Sequence, residues 1–242
     1  YLTEHHLPTW FAAGLTAAYG DRAAAELERN PYILCREPYL LPFAQADALA
    51  AEAGIEGDSS LRLEAGVLYV LSFNLQAGHT FLPRQKLLAT AGQLLGREGD
   101  GLEPVLEALR DRGAVRQETL LGLEAVYLTP VHEQEVYAAS QAARLVKMHL
   151  VPPLNLPKNL KKLEQESGLS YAEKQREAIC MPFSQGLTLV TGGPGTGKTT
   201  ALMTMISLLE TYGLKTLLAA PTGRAAKRMS QLTGQESKTI HR

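Results

Sequence analysis

Apolar positions recur at helical spacing through most of the chain, and the breaks between them fall at Gly, Pro and Asn. That pattern predicts helices over 9–19, ended by Gly20; over 22–29, stopped by Asn30-Pro31; over 43–53, closed by Gly54; and over 60–76, capped by Ser59 or Ser60. Two more amphipathic helices are expected over 84–95 and 102–112. Residues 114–118 and 125–129 are strand-like and meet through Leu121-Gly122, and a long helix follows over 131–150. Further on, 186–191 is a short β-rich apolar run, 200–209 is apolar at helical spacing, 215–220 reads as a strand and 224–232 as a helix.

Short helices joined by tight Gly turns suggest helix-hairpin-helix units over 1–80. Helix, helix, hairpin, helix over 81–150 resembles a winged helix, an arrangement that serves packing as often as DNA contact. Residues 151–169 carry Pro152, Pro153 and Pro157, then Lys158, Lys161 and Lys162, and read as an interdomain linker. From residue 170 helices and strands alternate, the signature of a parallel sheet wrapped by helices.

Between the run at 186–191 and the helix at 200–209 stands Gly192-Gly193-Pro194-Gly195-Thr196-Gly197-Lys198-Thr199. This is a complete Gly-x-x-x-x-Gly-Lys-Thr phosphate-binding loop in its strand–loop–helix setting. Glycines let the backbone fold tightly with amides turned inward, and the helix N-terminus adds about half a positive charge. Gly193, Pro194, Gly195, Thr196, Gly197, Lys198, Thr199 and Thr200 are the candidate ATP-binding residues. Lys198 is suited to the β- and γ-phosphates, and the Thr199 hydroxyl to Mg²⁺; these two are the candidate catalytic groups. A Gly-rich turn with no ligand is the plain alternative.

Charge divides the chain. Residues 1–143 hold 10 Lys+Arg against 19 Asp+Glu, and residues 144–242 hold 14 against 6. The basic part contains the phosphate loop, and its surplus suits a second polyanion or a solvated face. No run of about 18 apolar residues occurs, so no membrane span is expected. Cys35 and Cys180 are too few for a disulfide framework and lack metal-ligand spacing, which favours a reducing, cytoplasmic setting. His132-Glu133-Gln134-Glu135-Val136 lacks the second His of a metalloprotease helix.

Three more motifs narrow the class. Ser170 to Ala178, reading Ser-Tyr-Ala-Glu-Lys-Gln-Arg-Glu-Ala, resembles the Q motif of superfamily 1 helicases. Ala219-Ala220-Pro221-Thr222-Gly223-Arg224-Ala225-Ala226-Lys227-Arg228-Met229 resembles helicase motif Ia, and Thr239-Ile240-His241-Arg242 resembles the segment that follows it. Upstream, Tyr19-Gly20, Asn30-Pro31-Tyr32, Ala46-Asp47, Gly54-Ile55, Gly78-His79-Thr80 and Tyr127-Leu128-Thr129-Pro130 keep the same family order. The sequence is identified as similar to RecD2-like (RecD/TraA-type) superfamily 1B DNA helicases over nearly all of its length.

The resemblance implies a multi-domain fold. An all-α helix-hairpin-helix region over 1–80 and a winged-helix-like α/β segment over 81–150 precede the linker. The start of a RecA-like P-loop α/β parallel-sheet domain then occupies 170–242. It implies ATP-driven 5′→3′ movement on single-stranded DNA and unwinding at single/double-strand junctions, in a bacterial cytoplasm. Gln175 would read the adenine edge, since an amide offers a donor and an acceptor together. Pro221, Thr222, Gly223, Arg224, Lys227, Thr239, His241 and Arg242 would lie on the DNA track, with phosphates at the helix N-terminus. The pattern departs from the family at His6 and at Leu41-Pro42, where family hairpins carry glycines, so a scaffold role for 1–60 stands beside direct DNA contact.

The acidic strand end and the arginines that hydrolysis needs have no counterpart among these residues. The sequence therefore reads as a segment, without initiator Met or signal-like leader, that binds nucleotide weakly and does not turn it over alone. A P-loop ATPase acting on protein, and a non-catalytic nucleotide- or DNA-binding module from a broken gene, stay open as alternatives.

Overall fold

The computed structural model describes residues 1–241, with the side chain of Asp100 outside the description. The chain divides into two compact units, Tyr1–Tyr137 and Ala138–Arg242.

The first unit opens with α1 (Phe11–Tyr19) and α2 (Ala23–Arg29). Asn30-Pro31 stops α2 as expected, and also starts a tight 3₁₀ segment, Pro31–Cys35, whose residues are all buried. The Asn30 side chain accepts the Tyr32 amide at 3.1 Å, so the same residue ends one helix and caps the next turn. Then come α3 (Phe43–Glu52), α4 (Ser60–Gln76, capped by Ser59) and β1 (Phe81–Pro83). After them run α5 (Arg84–Leu95), α6 (Glu103–Asp111), β2 (Val115–Leu120) and β3 (Leu123–Leu128). The helix α7 (Thr129–Val146) follows directly.

The strands form an antiparallel sheet in the order β1-β3-β2, with Leu82 opposite Val126 and Gln117 opposite Val126 on its other side. The periodicity of 81–83 is too short to announce a strand; β1 exists because β3 offers an edge to pair with. One core runs through this unit from Leu7 to Val126, so helices and sheet are buried together. His6 and Leu40 hold left-handed backbone, φ 53° each, a region that glycine adopts freely and other residues rarely enter. The turns thus keep the shape that glycine would adopt, at a local strain cost.

In the second unit the expected linker is different. Residues 156–167 form α8 (Leu156–Ser167), with Leu156 and Leu160 buried in the second core. Pro157 sits in the first turn, where a missing amide costs nothing, so it starts the helix rather than breaking it. The lysines lie on the outer side. Next come α9 (Glu173–Cys180), α10 (Lys198–Thr211), β4 (Leu218–Ala220), α11 (Gly223–Thr233) and β5 (Ser237–Thr239). Strands β4 and β5 pair in parallel, Ala220 beside Thr239.

The run at 187–191 forms no ladder among the described residues, contrary to the strand expected there. Leu189 is 81% exposed, and Val190 is also exposed. A strand is made by its neighbours, and β4 and β5 pair with each other instead. Among the described residues no helix is long and apolar enough to cross a membrane.

Candidate nucleotide and nucleic-acid site

The phosphate loop is shaped by glycine. Gly195 and Gly197 take φ of 76° and 80°, where a side chain is strained, and Gly197 is the N-cap of α10. The chain therefore turns sharply into a helix whose first residue is Lys198. First-turn amides of a helix have no carbonyl one turn back, so they face outward at a positive pole. Behind the loop, Ala201, Met205 and Leu208 bury the inner side of α10 in the second core and fix its direction.

The Lys198 ammonium donates to the carbonyls of Gly192 and Gly193, each at 2.6 Å. The Thr196 hydroxyl donates to the Gly193 carbonyl at 2.9 Å. Gly193, Pro194 and Thr199 are exposed, and Thr200 is half-buried. A cavity of about 210 Å³ adjoins the loop, lined by Val190, Lys198, Thr199, Leu202 and Met205. An ammonium, a free-facing hydroxyl and helix-end amides form a donor set that fits a Mg²⁺-triphosphate. A larger cavity, about 380 Å³, lies in the first unit between Asp47, Asp58, Arg62 and Arg97. The guanidiniums there are paired with Asp47 and Asp58, so two carboxylates line it, which disfavours phosphate.

Gln175 comes to the loop from α9. Its Oε1 accepts the Ala172 amide and its Nε2 donates to the Thr196 carbonyl, both at 3.0 Å. The residue expected beside adenine is thus joined to the loop itself. Tyr171 is buried, and its hydroxyl meets Thr204 Oγ1 of α10 at 2.6 Å. Glu164 of α8 accepts from the Tyr171 amide at 3.1 Å and from Arg176 Nε at 3.0 Å. Sequence reasoning missed Glu164, because it lies in the stretch read as linker, and missed Thr204 as well.

The second set of expected residues gathers at the carboxyl ends of β4 and β5. Thr222 caps α11, its hydroxyl accepting the Ala225 amide at 3.2 Å. The Ile240 amide donates to the Ala220 carbonyl at 3.0 Å, so Thr239 and Ile240 are held beside Ala220, where β4 ends ahead of Pro221 and Thr222. Pro221, Thr222, Gly223, Arg224, Lys227 and His241 are exposed, and Thr239 is half-buried. Arg242 lies outside the described residues.

Comparison with known proteins bears on both units. A family model described as the ATP-dependent RecD2 DNA helicase HHH domain matches residues 1–81, and one described as an AAA domain matches residues 175–242. The chain is 31% identical to the ATP-dependent RecD2 DNA helicase of Deinococcus radiodurans over 93% of its own length and 32% of that protein.

The chain belongs to the RecD2-like helicase family.

It is also 39% identical to the RecBCD enzyme subunit RecD of Mycolicibacterium smegmatis, over 29% of the chain and 17% of that subunit. To the ATP-dependent DNA helicase dda of Enterobacteria phage T4 it is 47% identical, over 22% of the chain and 12% of that helicase. The chain spans at most about a third of the length of these relatives.

Proposed function

We propose that this chain serves an ATP-dependent DNA helicase that moves 5′→3′ on single-stranded DNA and opens the duplex at a junction. One observation carries the reading: along a single short stretch, Gln175 bonds the phosphate loop, the loop opens α10, and the ends of β4 and β5 gather the exposed Thr222 and His241. A nucleotide grip and a candidate DNA track are then parts of one α/β unit. Ligand sites at the carboxyl ends of parallel strands are the general rule for such sheets.

In this reading Lys198 and the loop amides hold the β- and γ-phosphates. The Thr199 hydroxyl holds Mg²⁺, which supplies charge neutralisation at the transferring phosphoryl group. Gln175 selects adenine. Pro221 to Arg224, Lys227, Thr239 and His241 track the DNA backbone, Arg224 and Lys227 through charge. The first unit is acidic overall, which suits a scaffold better than a DNA grip.

The test is ATP turnover by the longest natural product that carries this segment, with and without an oligo-dT strand. Strong stimulation by the strand is expected, and Lys198→Ala should lower turnover on the order of 100-fold or more. Turnover that ignores the strand would refute the DNA motor.

A further inference from the structure

Glu164 has no place among the residues that the motifs single out, yet its carboxylate is the junction between α8 and the nucleotide site. It is 12% exposed. Oε1 accepts the Tyr171 amide at 3.1 Å and Arg176 Nε at 3.0 Å, and a terminal nitrogen of Arg176 pairs with it at 2.9 Å. A carboxylate holding both a backbone amide and a guanidinium fixes direction as well as distance. The two groups that it holds flank Gln175: Tyr171 stands just ahead of α9, and Arg176 is the next residue along it.

From there two short relays run to the phosphate loop and its helix. Tyr171 is buried and its hydroxyl meets Thr204 of α10, which bonds in turn to the Thr200 carbonyl at 3.1 Å. Ala172, next to Tyr171, donates its amide to Gln175 Oε1, while Gln175 Nε2 reaches Thr196. The amide of Gln175 is therefore oriented by the turn that Glu164 ties down. An amide reads adenine only if donor and acceptor stand in the right order and place, so its supporting groups set the selectivity.

We propose that Glu164 is a positioning residue for Gln175 and thereby sets the preference of this site for adenine over guanine nucleotides. The inference rests on the proposed nucleotide-binding function. The alternative is that Glu164 only fastens α8 to its unit.

Binding of ATP, GTP and inorganic tripolyphosphate, each with Mg²⁺, to the whole chain separates the two. Tripolyphosphate engages the loop without a base. Glu164→Ala is expected to weaken ATP about fivefold or more, leaving GTP and tripolyphosphate within about twofold. Glu164→Gln keeps an acceptor for the Tyr171 amide and should recover most of the loss. In the Gln175→Ala background Glu164→Ala should add nothing, since both act through one amide.

Equal weakening of all three ligands by Glu164→Ala would show a merely structural role and overturn the proposal, as would no change in any of them. A parent chain that binds tripolyphosphate but does not prefer ATP to GTP would overturn the base reading alone. A parent chain that binds none of the three, or binds them regardless of Lys198→Ala, would overturn the proposed function itself.

Discussion

Asp47 accepts three side-chain hydrogen bonds in the first unit, and its removal should be costly. Its Oδ1 accepts from the Tyr32 hydroxyl at 2.6 Å and from Arg62 Nε at 2.7 Å, and Oδ2 accepts from Arg62 Nη2 at 2.8 Å. Arg62 Nη1 goes on to the carbonyls of Gly57 and Leu95. One guanidinium thus joins α3, the turn before α4 and the end of α5. The side chains of Arg62 and Asp47 are 16% and 29% exposed, so the pair is shielded without being dry. Breaking a fully buried pair by deleting one partner costs roughly 3–5 kcal/mol; partial exposure brings the expectation for Asp47→Ala to about 2–4 kcal/mol.

Trp10 is the only tryptophan and belongs to the first unit, so urea unfolding followed by its emission reads that unit. Asp47→Asn keeps an acceptor for Tyr32 but loses the charge, and should cost less. The Arg62 hydrogen bonds hold the Asp47 carboxyl below the usual carboxylate range, against the opposing effect of its burial, with the Tyr32 hydroxyl helping. A depressed folded pKa contributes stability above the unfolded value, about 3.9, that is lost as pH falls through the folded one. Asp47→Asn should therefore flatten the acid side of the stability profile. A loss below about 0.5 kcal/mol for Asp47→Ala, in the range of an ordinary surface change, would refute the reasoning.

Three more outcomes follow from local geometry. The β2–β3 turn places Leu121 and Gly122 at φ 50° and 82°, both positive as a type I′ turn requires, so Leu121→Asn should stabilise by about 0.5–1 kcal/mol in the same unfolding assay. A Cβ at Gly92 would meet the Arg97 carbonyl oxygen at 2.6 Å, so Gly92→Ala should destabilise by about 1–3 kcal/mol although alanine is the better helix former. Burial pushes the Cys35 thiol up to about 12 and also raises Cys180, which is less buried; alkylation at neutral pH, read by peptide mass, should modify Cys180 first and Cys35 only on unfolding.

The sharp turn into α10 was legible from residues alone, because the glycines before Lys198 supply the positive φ that it requires. The helices of the first unit were legible for the same kind of reason: periodicity, Asn30-Pro31 and Ser59 act within a turn or two of themselves. Partners far along the chain were not. Residues 81–83 became a strand because β3 lay open beside them, while 187–191, more strand-like by composition, found no ladder among the described residues. Pro157 looked like a linker residue, yet the burial of Leu156 and Leu160 decided for a helix.

The same division runs through the candidate site. Gln175 could be singled out by its motif, but its bond to Thr196 and its support by Glu164 link residues on α8, α9 and the loop. Thr239 was recognisable by resemblance; the parallel pairing of β4 with β5 is what sets it beside Ala220 and Pro221. Sequence by itself determined where the backbone turns sharply on glycine and where helices start and stop, since those depend on neighbouring residues. Only the tertiary structure decided which strand has a partner and which carboxylate orients Gln175, because those depend on groups brought together by burial.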